Sequence, residues 1–218
     1  MKATITATAK YLPQKTLSNQ ELEKMVDTSN EWILSRTGIE NRHIVSDGEA
    51  TSDMCSQIAN QLLEKSGKSA EDIDLILVAT STPDFLVVST AALVQDKIGA
   101  KNAWGYDIVA ACTGFVYAME TGAKFIESGS YNNVIVIGAD TMSSIIDYTD
   151  RNTCVIFGDG GGGVLLEPTQ EETGIIDSIL HIDGSGHKYL TVPAGGSANP
   201  ASKETLDNKM HYVYQDGK

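Results

Sequence analysis

Ile73-Asp74-Leu75-Ile76-Leu77-Val78-Ala79-Thr80 is a nearly unbroken apolar run, the mark of a strand buried on both faces. The same signature returns at Asn133-Val134-Ile135-Val136-Ile137-Gly138-Ala139. Between the two runs, residues 89–98 read as a helix closed by Gly99. Residues 104–110 read as a strand and 113–128 as a further helix. Upstream, residues 3–9 read as a strand with a turn at Leu12-Pro13. Ser18 and Glu21 have capping-box spacing ahead of a short helix, and a second helix from Thr28 stops at Gly38. Thr51-Ser52-Asp53 stands as the cap of a helix with Met54, Ile58, Leu62 and Leu63 on one face, ended by Gly67. Strands buried on both faces and alternating with helices predict an α/β protein with a largely parallel sheet covered by helices. Downstream, Val155-Ile156-Phe157, residues 163–166 and residues 175–182 read as strands, with a glycine cluster between the first two.

Composition narrows the function classes. The 218 residues are 41% apolar and 21% charged, enough for a sizeable core as one large domain or two small ones. A net charge of −13 disfavours non-specific binding to nucleic acid or an anionic membrane. No apolar run is long enough to span a bilayer, and residues 1–6 lack a signal-peptide core. Three cysteines, an odd number with no close pairing, point to a reducing compartment, the cytoplasm by default. The four scattered histidines (His43, His181, His187 and His211) offer no metal-ligand spacing, no Cys-x-x-Cys pair exists, and no structural metal is expected.

The chemistry centres on Ala110-Ala111-Cys112-Thr113-Gly114-Phe115, where a strand gives way to a helix. A thiol at a helix mouth lies near unsatisfied amides and partial positive charge, which favours thiolate. Those amides can also hold an oxyanion, and small neighbours admit a substrate carbonyl. A small thiol packed into a crowded junction would have the same sequence, so the local signal leaves both readings open. Cys55 and Cys154 open no helix after a strand and read as inert, the first in a helix core and the second in a strand.

Gly158, Gly160 and Gly163 form a literal G-x-G-x-x-G, but no helix follows to face a pyrophosphate. The glycines are expected instead to let two backbones approach, near the cysteine. Trp32 and Arg36 lie four residues apart on a helix face, and Arg151 is a loop cation. An aromatic ring and a guanidinium together can hold a nucleotide, or can be one packed and one solvated residue of an amphipathic helix.

Taken together, Asp27-Thr28-Ser29-Asn30-Glu31-Trp32-Ile33, Ser35-Arg36-Thr37-Gly38-Ile39, residues 110–115, Asp150-Arg151-Asn152-Thr153 and Phe157-Gly158-Asp159-Gly160 resemble the β-ketoacyl-acyl-carrier-protein synthase III family. The resemblance runs from Met1 to the last residues. It implies the N-terminal half of a thiolase-like fold, a five-layered α/β/α/β/α arrangement around mixed, mostly parallel sheets, in a homodimer. On this view residues 1–183 are the α/β half and residues 184–218 a polar connection toward a second half. Cys112 becomes the nucleophile that takes an acyl group from acyl-CoA, commonly acetyl-CoA. Trp32 and Arg151 sandwich the adenine, with Thr28 and Arg36 near the nucleotide. Malonyl-acyl carrier protein is the second substrate, and coenzyme A serves as substrate rather than cofactor. Val87 stands where some members carry an aromatic gate to the partner's acyl pocket.

The family's catalytic histidine and asparagine lie in motifs resembling His-Gln-Ala-Asn and Gly-Asn-Thr-Ser, and neither occurs here. A truncated synthase, inactive in condensation by itself, is therefore expected. The competing readings are a non-catalytic coenzyme A-binding or dimerisation module, and a thiolase-fold relative such as 3-hydroxy-3-methylglutaryl-CoA synthase.

Overall fold

Leu75 and Leu77 pack against one helical layer while Ile76 and Val78 pack against another, so the strand they share is covered on both sides. The computed structural model describes residues 1–217. The first part of the chain contains β1 (Lys2–Tyr11), β2 (Lys15–Ser18), α1 (Asn19–Leu22), α2 (Asn30–Thr37), β3 (Asn41–Ile44) and α3 (Thr51–Ser66). The middle contains β4 (Leu75–Ala79), α4 (Thr90–Ile98), β5 (Trp104–Ile108), α5 (Gly114–Glu127) and β6 (Val134–Thr141). Then come α6 (Arg151–Cys154), β7 (Asp159–Thr169), β8 (Leu190–Thr191), α7 (Lys203–Asp207) and β9 (Tyr214–Gln215).

These elements fall into two compact units. The first comprises Met1–Pro13, Val45–Asp140 and Gly160–Leu180, and the second Gln14–Ile44, Thr141–Asp159 and the chain from His181. The first unit is built on a five-stranded sheet in the order β1-β7-β6-β4-β5. β5 and β6 flank β4 in parallel, and β1 pairs antiparallel with β7. One face carries α3 and α4 through Met54, Ile58, Leu62, Ala91 and Val94. The other carries α5 through Ala118, Ala123 and Ile126.

β1 changes face partway along. Ala3 packs on the α5 side but Ala7 and Ala9 on the α3 side, although all three positions share parity. A register shift between Ile5 and Ala7 accounts for this, because one extra residue inverts every side chain beyond it.

The second unit buries Leu22, Ile33, Ile146, Cys154, Val155 and Val213 around the antiparallel pair β2–β3 and helices α1, α2 and α6. Its helix ends follow the sequence signals. Ser18 and Glu21 form the full capping box, Ser29 Oγ accepts from Trp32 N–H at 3.1 Å, and Gly38 takes the left-handed φ of 71° that ends α2.

Three local expectations are corrected. Val155-Ile156-Phe157 is not a strand, and Cys154 ends a short helix. Asp150 caps that helix by accepting from Asn152 N–H, and Val155 closes it in right-handed helical geometry. Residues 175–182 are not a strand either. Ile175 N–H reaches Ala3 O at 2.8 Å, but Ile176, Ile179 and Ile182 lie exposed, and apolar alternation forms a strand only where a ladder partner and a face to bury exist. The cap of α3 is Ala50, with the Asp53 carboxylate accepting the Ala50 N–H at 2.9 Å.

Candidate active site

α5 begins without a side-chain cap: Thr113 spends its hydroxyl on the Ala110 carbonyl at 2.9 Å instead. The first-turn amides of the helix thus receive no side-chain acceptor from the capping position. Just before it, Ala111-Cys112-Thr113 make one tight 3-10 turn in which Ala111 takes φ 46°. A non-glycine residue in the left-handed region costs of order 1–3 kcal/mol. That turn lifts the adjacent Cys112 out of the junction: its side chain is exposed, whereas Cys55 and Cys154 are buried, and all three are free thiols. Burial pushes the Cys55 and Cys154 thiols up, which keeps them protonated and inert.

Cys112 lines a cavity of about 430 Å³ together with Ala79, Phe115, Gly138, Asp140, Gly162 and Gly163. The β7 side of the wall is small by necessity. A Cβ at Gly163 would stand 2.8 Å from Ile58 Cγ2 and 2.9 Å from Val136 O, and one at Gly161 2.6 Å from Ala139 Cβ. The glycine cluster therefore lies inside β7 and permits close backbone approach beside the cysteine, as its sequence predicts. Asp140 is the acidic group of the wall. Its Oδ1 accepts from Ser81 N–H at 2.7 Å and from the Thr80 and Thr82 hydroxyls at 3.1 Å each. Sequence reading missed Asp140 and the strained Ala111, since neither residue type signals its role in isolation.

The second unit brings together Trp32 and Arg151, the pair the sequence left open. The Arg151 guanidinium lies 4.8 Å from the Trp32 ring centroid, and its Nη1 donates to Asp27 O at 2.9 Å. Thr28, next along from Asp27, has a buried Oγ1 without a hydrogen-bond partner. Arg36 is exposed in the last turn of α2, one turn after Trp32. Val87 lies in the loop Phe85–Val88, 95% exposed and not among the residues lining the Cys112 cavity. Among the described residues no group of three or more His, Cys, Asp or Glu side chains is arranged to hold a metal ion. No helix among them is long and apolar enough to cross a membrane.

A family model described as 3-oxoacyl-[acyl-carrier-protein (ACP)] synthase III matches residues 106–184, the span that includes Cys112 and Arg151. The chain is 58% identical over 221 residues to the beta-ketoacyl-[acyl-carrier-protein] synthase III of Chlorobium phaeovibrioides, covering 100% of this chain and 67% of that protein. It is 59% identical to the protein of the same name from Chlorobaculum tepidum, with the same coverage. Among solved structures, 3-oxoacyl-[acyl-carrier-protein] synthase III of Aquifex aeolicus VF5 superposes with a TM-score of 0.87 at 39% identity, covering 99% of this chain and 65% of that one. The corresponding synthase of Pseudomonas aeruginosa PAO1 gives 0.88 at 34% identity, covering 100% and 65%. The chain spans about two thirds of the length of these relatives.

Proposed function

Because the chain belongs to the 3-oxoacyl-[acyl-carrier-protein] synthase III family, the condensing acyltransferases of fatty-acid synthesis, we propose that Cys112 is its acyl-accepting nucleophile. The observation that carries this reading is the exposed thiol on a strained turn, at the uncapped start of α5, facing a cavity walled by small residues. Cys112 Sγ loses its proton and bonds the thioester carbonyl carbon of an acyl-CoA. The carbon–sulfur bond to coenzyme A then breaks, and the departing thiolate takes up a proton. First-turn amides of α5 are suitable donors for the oxyanion formed on the way. Decarboxylation of malonyl-acyl carrier protein supplies the carbanion equivalent that attacks the acyl-enzyme, giving 3-oxoacyl-acyl carrier protein and freeing Cys112. This second stage draws, by family resemblance, on a histidine and an asparagine in motifs that these residues do not contain. The 218 residues by themselves are therefore expected to accept an acyl group without completing condensation.

Trp32, Arg151, Thr28 and Arg36 bind the nucleotide end of coenzyme A on this reading. The ring–guanidinium pair suits adenine, the buried Thr28 hydroxyl keeps an unused hydrogen-bonding capacity beside it in sequence, and the Arg36 cation suits phosphate. No resident cofactor takes part, and a reducing cytoplasm suits a free nucleophilic thiol. We also assign the molecule as a homodimer, with Val87 and its loop at the interface. The support is a contiguous exposed apolar run, Phe85–Val88.

Alkylation tests the nucleophile directly. Iodoacetamide should label Cys112 and spare buried Cys55 and Cys154, and prior incubation with acetyl-CoA should protect Cys112. Labelling of Cys112 that is indifferent to acetyl-CoA would count against the assignment.

A further inference from the structure

Arg42 on β3 is 3% exposed, yet no carboxylate is among its hydrogen-bond partners. Taking a guanidinium out of water is costly, so a purely space-filling role would favour an apolar residue at this position. Burial also draws its pKa downward. What Arg supplies, and an apolar residue cannot, is a rigid fork of donors. Nη1 donates to Asn19 Oδ1 at 2.6 Å, while Nε at 3.1 Å and Nη2 both donate to the Val155 carbonyl.

The two ends of this fork lead to the two halves of the ring–guanidinium pair. Val155 closes α6, the helix that begins at Arg151. Asn19, fully buried, donates through Nδ2 to Asn30 Oδ1 at 3.0 Å and to Ile39 O at 2.9 Å. Asn30 opens α2 two residues before Trp32, and Ile39 follows its end. A continuous path, Asn30–Asn19–Arg42–Val155, thus ties the helix bearing Trp32 to the helix bearing Arg151. Gly158 leaves room for it, since a Cβ there would stand 2.9 Å from Arg42 Cβ and 3.1 Å from His43 O.

We propose that Arg42 and Asn19 are positioning residues that hold α2 and α6 in register, so that the Arg151 guanidinium stands over the Trp32 ring. The proposal rests on the nucleotide-binding reading of that pair. A ring stacked between them needs a separation of about 7 Å, two contacts of about 3.5 Å each. The present 4.8 Å must therefore open on binding. With α6 tied to Arg42 at the Val155 carbonyl and α2 tied to it through Asn19, the opening falls to the Arg151 side chain, which releases the Asp27 carbonyl and moves off the indole.

The test uses Arg42→Lys, which keeps the charge but loses the fork, and Asn30→Ala, which cuts the path at its half-buried end. Arg151→Ala serves as the reference background. Calorimetric titration with coenzyme A should show each of the first two substitutions weakening binding by about tenfold. Neither should weaken it further in the Arg151→Ala background, because the path acts only through that side chain. Equal losses in both backgrounds, or native affinity in Arg42→Lys, would overturn the proposal. A second readout needs no ligand: the upfield NMR shift that the Trp32 ring imposes on the Arg151 side chain should shrink in both variants. If the unsubstituted protein fails to bind coenzyme A, the nucleotide reading is wrong. An unchanged Arg151 shift in Arg42→Lys and Asn30→Ala would sink the positioning role separately.

Discussion

Tyr148 places its hydroxyl in a buried position without a hydrogen-bond partner, close to Asp159 and Cys154. Burial, with the Asp159 carboxylate second, pushes its pKa from 10.0 up to about 12. The folded state therefore keeps this proton at a pH where the unfolded chain has lost it. Stability from the neutral phenol is complete below pH 10 and disappears as pH rises toward 12. Tyr148→Phe should remove that alkaline loss and, at neutral pH, stabilise the protein by about 1 kcal/mol by deleting an unsatisfied hydroxyl. Urea unfolding at neutral and alkaline pH checks both parts, and a Tyr148→Phe protein less stable at neutral pH would contradict this account of the site. Legibility at this scale was uneven. Cys112 stood out as a candidate because a thiol between a strand and a helix start can favour thiolate, although that local signal fitted a packed, inert cysteine equally well. Its exposure depends on the left-handed φ of Ala111, which an alanine does not announce. Arg42 was invisible because a charged residue in a short strand ordinarily points to solvent, and only Asn19 and Val155, distant in sequence, turn it inward.

Among the elements, β4, β6 and the helices between them were legible because burial on both faces leaves no polar alternation, and Gly67 and Gly99 end their helices in the left-handed region. Residues 175–182 and 155–157 carried the same apolar composition without becoming strands, because strand formation depends on a partner that composition does not encode. The glycines of β7 were read as a cluster between strands and are instead part of one, held there by the closeness of Ile58 and Val136. The loop Phe85–Val88 leaves a contiguous apolar run in solvent, with Leu86 93% and Val87 95% exposed. Sedimentation velocity should find a dimer that Val87→Asp converts to monomer with little change in melting temperature. A monomeric unsubstituted protein, or a Val87→Asp dimer, would refute an interface at this loop.

Across the whole molecule the proposed chemistry is divided between two compact units. Cys112 and its cavity belong to one, and Thr28, Trp32, Arg36 and Arg151 to the other. The net charge of −13 disfavours non-specific binding to nucleic acid or an anionic membrane, so an anionic nucleotide must be held by local cations such as Arg36 and Arg151. The α/β class and the largely parallel sheet follow from periodicity, whereas the pairing of Trp32 with Arg151 arises from folding of segments more than a hundred positions apart and is not periodic at all. The central claim, that this scaffold exists to present Cys112 to an acyl thioester, is tested most directly by intact mass and peptide mapping after incubation with acetyl-CoA. The account predicts one acetyl group per chain, located on Cys112 and absent in Cys112→Ser. An acetyl group retained in Cys112→Ser, one found on Cys55 or Cys154, or none at all would contradict it.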